Sequence, residues 1–144
     1  MIIKYIIAIL LFSAIILFHE LGHFLLAKAN GIRVNEFSLG LGPTIVGFTK
    51  GETKYSIKLL PFGGACMMEG EDSQSDDDRS FQKKSVWARI SVVAAGPIFN
   101  FIMAFVLAVI ILGNIGISTP TVAQVEDGYG AQTAGLQAGD EIIK

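Results

Sequence analysis

Two long apolar runs dominate the pattern of hydrophobic and polar positions along this chain. They cover residues 5–27 and 86–112. Each is longer than the roughly 20 residues that a helix needs to cross the hydrocarbon core of a bilayer. The pattern therefore predicts two membrane-spanning helices, one over residues 5–27 and one that begins earlier than its apolar run and covers 81–112.

The segment between the runs alternates apolar and polar residues with a period of two, notably over 36–41 and 54–59. This period is typical of half-buried strands. We expect a small antiparallel sheet of three or four strands within residues 33–64, with a turn at Lys50-Gly51. An acidic loop over 69–79 follows the sheet.

The boundaries of the later elements rest on weaker signals. Ser80 is a candidate cap for the second helix, because serine side chains accept hydrogen bonds from the first backbone amides of a helix. Beyond Gly113 the chain is rich in small residues, and its order suggests a strand, a loop, a helical turn and the start of another strand. We expect residues 1–113 to form one unit and 119–144 to be the truncated opening of a second domain.

Composition and charge support a membrane protein and exclude other classes. Hydrophobic residues make up 51% of the 144 positions and charged residues 17%. The net charge of −2 argues against nucleic-acid binding, and a single cysteine, Cys66, excludes an internal disulfide framework. Most lysines and arginines lie between the apolar runs. The positive-inside rule then places residues 28–85 in the cytosol and both termini outside, in a multi-pass protein of the inner membrane.

A cleaved signal peptide is the alternative interpretation of the first run. Lys4 would be its positive end, and Ala27-Lys28-Ala29 resembles a cleavage site. The run is longer than the usual apolar part of a signal peptide, and cleavage there would discard a polar cluster. We therefore favour a membrane helix.

That cluster is His19-Glu20-Leu21-Gly22-His23, which contains both histidines of the chain. It matches H-E-x-x-H, and the i, i+4 spacing places His19 and His23 on one face of a helix, one turn apart. Two imidazoles so placed can bind one zinc ion, while Glu20 stays off the metal as a general base for water. An ionisable group inside a membrane span is costly and indicates function.

Several further motifs extend this signal over nearly the whole chain. They are "FHELGHFLLAK", "FSLGLGP", "KLLPFGGACMMEGED", "AAGPIFNFIMAFVL" and "AGLQAGDEI", in that order. Together they resemble the site-2 protease family of intramembrane zinc metalloproteases. More narrowly, they are similar to the bacterial regulator-of-sigma-E type, in which a PDZ domain follows the second span.

The resemblance implies a fold and a set of roles. The fold would be an α-helical membrane protein with a small antiparallel sheet between two transmembrane helices, followed by the start of a PDZ-like domain. His19 and His23 would bind Zn²⁺, and Glu20 would be catalytic. Gly96, Pro97 and Asn100 would position the substrate, with Pro97 kinking the helix. For Asn100, an ordinary interhelical hydrogen bond is the alternative.

The resemblance also implies a third zinc ligand, an aspartate in a later membrane helix, which we expect beyond Lys144. Asp127 and Asp140 are not substitutes, because the charge pattern places them on the opposite side of the membrane from the cytosolic segment. The leading hypothesis is a zinc endopeptidase, of which this chain is an N-terminal fragment that is inactive alone. Its partners would be the lipid bilayer and transmembrane substrates such as anti-sigma factors or signal peptides. The alternative is a non-catalytic membrane adaptor that binds peptides.

Overall fold

The structure, a computed structural model, describes residues 2–116 and 120–142. The chain divides into two compact units, Met1–Phe105 and Val106–Lys144. In chain order the elements are helix α1 (Ile2–Ala29), strand β1 (Val34–Lys50), strand β2 (Thr53–Met68), a 3-10 turn (Phe81–Lys83), helix α2 (Val86–Ile115) and the short helix α3 (Gly130–Thr133).

Both predicted long helices are present, with 28 residues in α1 and 30 in α2. The mean hydropathy of their most apolar 18-residue windows is 2.4 and 2.5, and no residue of either window is buried inside the protein. Core helices of soluble proteins bury such residues, so these two helices have the length and the exposed apolar surface expected of membrane spans.

The start of α2 differs from the prediction. The predicted helix from residue 81 is wrong over its first turn, where Phe81–Lys83 form a separate 3-10 turn. The Ser80 side chain makes no capping bond. Ser85 takes that role, since its Oγ accepts a hydrogen bond from the Ala88 amide at 3.3 Å. The helix therefore begins one residue after the serine that caps it.

The sheet has two long strands instead of the predicted three or four, and β2 extends to Met68, beyond the predicted limit of residue 64. The predicted turn at Lys50-Gly51 is confirmed, since Gly51 has φ +64° between the paired residues Lys50 and Thr53. The "GLGP" and "PFGG" segments, expected at strand ends, lie within the strands. Glycines with φ +88° allow each strand to change direction there.

The register explains why the sequence pattern indicated more strands. Residues 44–50 pair with 53–58 in the antiparallel hairpin. Residues 34–39 pair with 64–68, also in antiparallel fashion. Residues 36–39 in addition pair with 54–57, and here the residue numbers on both strands rise together, so these two segments run parallel. The two strands thus form a sheet four segments wide, with 44–50 and 64–68 at its edges.

The sheet lies alongside α1, and hydrogen bonds fix both of its ends. At the hairpin turn, Lys28 Nζ donates to Glu52 Oε1 at 2.6 Å. At the other end, Ser13 Oγ donates to the Pro61 carbonyl at 2.8 Å. These two α1 residues are 15 positions apart, about 22 Å along a helix axis. The sheet therefore follows α1 from its charged end towards its middle.

A small apolar core joins the C-terminal half of α1 to the sheet and to α2. The Phe24 and Phe37 rings pack at 5.2 Å between centroids. Thr53 is buried but satisfied, since its Oγ1 donates to the Val34 carbonyl at 2.8 Å. The buried apolar cluster consists of Ala27, Ile32, Val34, Cys66 and Val92. Its position holds the H-E-x-x-H turn of α1 against α2.

Beyond the end of α2, the second unit contains little regular structure among its described residues. Where the sequence predicted strands, Thr121 and Glu141 form an isolated antiparallel bridge. Val122 supports it, since its amide donates to the Asp140 carbonyl at 2.8 Å and its carbonyl accepts from the Gly139 amide at 2.8 Å. The predicted helical turn is present as α3. The order of these elements follows the prediction, with a single bridge in place of two strands.

Candidate metal centre

The H-E-x-x-H motif lies wholly within α1, as predicted, and brings its two histidines together. The rings of His19 and His23 are 4.8 Å apart between centroids and meet edge to face. This is the arrangement expected of side chains at i and i+4 on one helical face.

Gly96 of α2 faces both imidazoles and marks the point on which they converge. A Cβ atom placed on Gly96 would lie 2.5 Å from His23 Nε2 and 2.7 Å from His19 Nε2. The two Nε2 atoms therefore lie next to one small volume, which is open because Gly96 has no side chain. Zinc binds imidazole nitrogens at about 2.0–2.1 Å, so two nitrogens this close to one point suit a shared ion.

A backbone contact fixes the His23 ring in the form that binds metal. His23 Nδ1 lies 2.8 Å from the Val92 carbonyl oxygen. A carbonyl only accepts, so in the neutral imidazole the ring hydrogen is on Nδ1, which leaves the lone pair on Nε2. A hydrogen bond from the second ring nitrogen commonly orients histidine ligands in this way.

Asn100 contacts the other histidine. Its Nδ2 lies 3.2 Å from His19 Nδ1, across 81 positions of sequence. The same amide has a buried oxygen, Oδ1, for which no partner is found among the described residues. The structure thus places Asn100 at the histidine pair, where the sequence had suggested either a substrate contact or an interhelical hydrogen bond.

Glu20 opens onto a cavity of about 580 Å³ that His23 also lines. One wall is formed by residues 65–68 of the edge segment of β2 and by the turn that follows. A Cβ on Gly64 would lie 2.9 Å from Glu20 Cγ, so this glycine leaves room for the glutamate. The carboxyl group is therefore beside the histidines and next to an open sheet edge.

The cavity wall beyond β2 is acidic and offers no thiolate. Burial raises the pKa of Glu71, whose carboxylate accepts from the Met68 amide at 3.4 Å. Burial also raises the pKa of Cys66 to about 12, with the Glu20 charge a smaller contribution. The Cys66 thiol therefore stays protonated at neutral pH.

The helices approach closely at the site because a second glycine faces α2. A Cβ on Gly22 would lie 2.5 Å from the Ala95 carbonyl oxygen. Small residues at such contacts let two backbones approach, as is common between membrane helices. Gly22 and Gly96 together bring the histidine face of α1 against α2.

The donor set fits zinc in part. His19 and His23 supply two nitrogens, and among residues 2–116 and 120–142 no group of three histidine, cysteine, aspartate or glutamate side chains could hold a metal. Catalytic zinc sites usually have three protein ligands and one open position.

Two of the three predicted substrate-positioning residues, Gly96 and Asn100, lie next to the histidine pair. For Pro97, the third, the described part of the chain shows no contact with either histidine. Pro97 lies inside α2 and lines a separate apolar pocket with Phe81 and Val93. Its role stays a prediction. The sequence interpretation did not identify Gly22, Gly64 or the Val92 carbonyl as parts of the site. The glycines in the apolar helices and in "PFGG" were the available signal, because a glycine often marks a place where two segments of backbone approach closely.

Comparisons with known proteins agree with this site. The profile of Peptidase family M50 matches residues 7–140. A protein of Clostridium acetobutylicum named as a candidate zinc metalloprotease is 50% identical over 139 residues, which are 96% of this chain and 41% of that protein. The Bacillus subtilis protein named Regulator of sigma-W protease RasP is 30% identical over 217 residues, covering 93% of this chain and 51% of its own length.

The chain belongs to Peptidase family M50, the site-2 protease family that its motifs resemble. It spans about 40% of the length of several curated relatives that it matches.

Proposed function

We propose that the protein carrying this chain is an intramembrane zinc endopeptidase, and that residues 1–113 supply two zinc ligands and the general base. One observation carries the proposal. His19 Nε2 and His23 Nε2 converge on the open position at Gly96, beside Glu20, on a helix that is long and apolar enough to span a bilayer. Polar groups at that depth are costly unless they serve a function.

Zinc supplies a Lewis acid that lowers the pKa of water towards about 7 and polarises a carbonyl oxygen. His19 and His23 would hold it through Nε2. Glu20 accepts a proton from the attacking water and passes it to the leaving amine, as a general acid-base group does. Glu20 lines the cavity, so water that enters the cavity can reach its carboxylate.

The edge of the sheet offers a place for the substrate backbone. Residues 64–68 pair with β1 at one edge of the sheet, and 65–68 of this segment line the cavity with Glu20 and His23. An unwound segment of the substrate would add a strand there, so that backbone hydrogen bonds present a peptide bond to the catalytic groups. Unwinding is needed because a helix hides its peptide groups.

The sheet enters the membrane in this proposal, which revises the prediction that all of residues 28–85 are cytosolic. If Lys28 lies at the interface, the Ser13–Pro61 contact puts the far end of the sheet about 22 Å deeper along α1. Most of the exposed side chains at that end are apolar, as lipid contact requires. They include Leu41, Ile45, Leu60 and Phe62.

Cysteine labelling tests this arrangement. A cysteine at Gln74 should react with membrane-impermeant maleimide only in inverted vesicles, and one at Ala131 only in intact cells. A cysteine at Phe62 should be protected in both. Cys66 should add no background, because it is buried and its pKa is about 12. Labelling of the first two positions in the opposite order would contradict the orientation, and rapid labelling at Phe62 would contradict the depth.

Metal analysis tests the proposed ligands. In the complete protein, His19→Ala and His23→Ala should each lose the stoichiometric zinc of the wild type after dialysis against a mild chelator, because a ligand is removed. Asp127→Asn is the control and should keep the metal. Zinc retained in both histidine variants would contradict the site, and zinc loss in the control would make Asp127 a ligand.

The substrate and the tail extend the proposal. The substrates would be transmembrane segments of proteins such as anti-sigma factors, or signal peptides; the name of the B. subtilis relative, Regulator of sigma-W protease, supports the first class. Residues 119–144 would open a PDZ domain outside the membrane that binds or filters substrates. The cavity beside Glu20 favours an enzyme over a peptide-binding adaptor, since an adaptor needs no carboxylate there.

A further inference from the structure

The two histidines are oriented by different kinds of group. A backbone carbonyl, that of Val92, faces His23 Nδ1 at 2.8 Å. A side-chain amide, that of Asn100, faces His19 Nδ1 at 3.2 Å. The carbonyl can only accept a hydrogen bond, whereas an amide group can donate through nitrogen or accept through oxygen. The form of the His19 ring therefore depends on which way the Asn100 amide is turned.

The convergence on Gly96 decides which orientation binds metal. His19 binds an ion through Nε2 only if Nε2 keeps its lone pair, so the ring hydrogen of the neutral imidazole must be on Nδ1. With Nδ2 facing Nδ1, Asn100 donates and the hydrogen is forced onto Nε2, which blocks the metal. Rotation of the amide by half a turn puts Oδ1 in that place, where it accepts from Nδ1.

The buried oxygen supports this rotation. Asn100 Oδ1 has no hydrogen-bond partner among the described residues, and a buried carbonyl oxygen without a donor is unfavourable. After the rotation, His19 Nδ1–H supplies that donor. An interhelical hydrogen bond alone, the alternative from the sequence, requires no particular orientation of the amide.

We propose that Asn100 is a positioning residue for zinc: its Oδ1 accepts a hydrogen bond from His19 Nδ1–H and so holds His19 Nε2 ready for the ion. This role differs from the substrate contact suggested by the sequence, and it rests on the proposed zinc site. It gives the two ligands matched partners, both on α2 and one for each ring.

The test compares an acceptor with a residue of similar size that cannot accept. Zinc affinity of the complete protein in detergent is measured by competition with a fluorescent chelator. Asn100→Leu should bind zinc about 10–100-fold more weakly, the usual effect of losing such a partner. Asn100→Asp keeps an acceptor oxygen in the same position and should bind zinc at least as tightly as the wild type.

Asn114→Leu is the matched control. Asn114 is on the same helix, but it is exposed and its amide donates to the Ile110 carbonyl at 2.7 Å. Its replacement should leave zinc affinity unchanged. A second readout is the ¹⁵N spectrum of the histidine rings in the zinc-loaded wild type, which should show the hydrogen of His19 on Nδ1.

The outcomes separate this inference from the proposed function. Wild-type affinity in Asn100→Leu, or equal loss in Asn100→Leu and Asn100→Asp, overturns the positioning role while the zinc site stands. Weak binding in Asn100→Asp alone also overturns it, because it would show that the amide acts as a donor. A wild type that binds no zinc, or whose affinity is unchanged by His19→Ala, overturns the proposed function and this inference with it.

Discussion

Replacing Gly96 with alanine is expected to abolish zinc binding and peptide cleavage in a protein that still folds. The new methyl group would lie 2.5 Å from His23 Nε2 and 2.7 Å from His19 Nε2, in the volume where we place the ion. Both rings would have to turn away, and His23 would lose its hydrogen bond to Val92. Zinc affinity measured by chelator competition should fall by at least about 100-fold.

A second glycine of the same helix provides the control. Among the described residues, a Cβ on Gly113 would meet no atom within 4 Å beyond its own stretch of helix, so Gly113→Ala should leave zinc affinity and cleavage unchanged. Alanine is favoured over glycine by about 1 kcal/mol in a helix interior, so neither variant should unfold α2. Wild-type zinc affinity in Gly96→Ala would show that the ion does not lie between the two Nε2 atoms.

Replacing Glu20 with glutamine is expected to remove cleavage and to keep the metal. Glutamine has nearly the same shape and lacks the basic carboxylate, and general-base catalysis is commonly worth about 10²–10⁴-fold in rate. Cleavage of a transmembrane substrate by the complete protein should fall at least that far, while zinc content stays stoichiometric. The two measurements are made on one preparation.

The control for this variant is Glu126→Gln, in the second unit, where the residue is exposed. It should cleave at the wild-type rate. Near-normal cleavage by Glu20→Gln would refute the general-base role. Loss of zinc in that variant would instead make Glu20 a metal ligand, a role that H-E-x-x-H geometry does not predict.

The helices were the most predictable part of the fold, because exposed apolar runs carry their own signal. The start of α2 was less predictable. Ser80 and Ser85 are equally good caps by residue type, and only the Ser85 hydroxyl meets a helical amide. The sheet was harder still, since "GLGP" and "PFGG" read as strand ends, whereas their glycines let two continuous strands bend.

The residues of the site also differ in how far the sequence alone could predict their roles. His19, Glu20 and His23 could be read from the motif, because residues four apart on a helix share a face whatever surrounds them. Gly64, Gly96 and Val92 could not be assigned their contacts, because each acts on a residue between 44 and 77 positions away in sequence. Asn100 was recognised as a motif residue, but its contact with His19 was not predicted.

The sequence by itself determined the two apolar helices, the histidine pair with its glutamate, and the family, since each of these rests on short-range spacing and residue type. Only the tertiary structure decided where the imidazoles point, which edge of the sheet meets Glu20, and that the sheet follows α1 to Ser13. These depend on how α2 and the sheet pack against α1. Such packing is set by contacts between distant residues, in which a missing side chain, as at Gly22 and Gly96, matters as much as a present one.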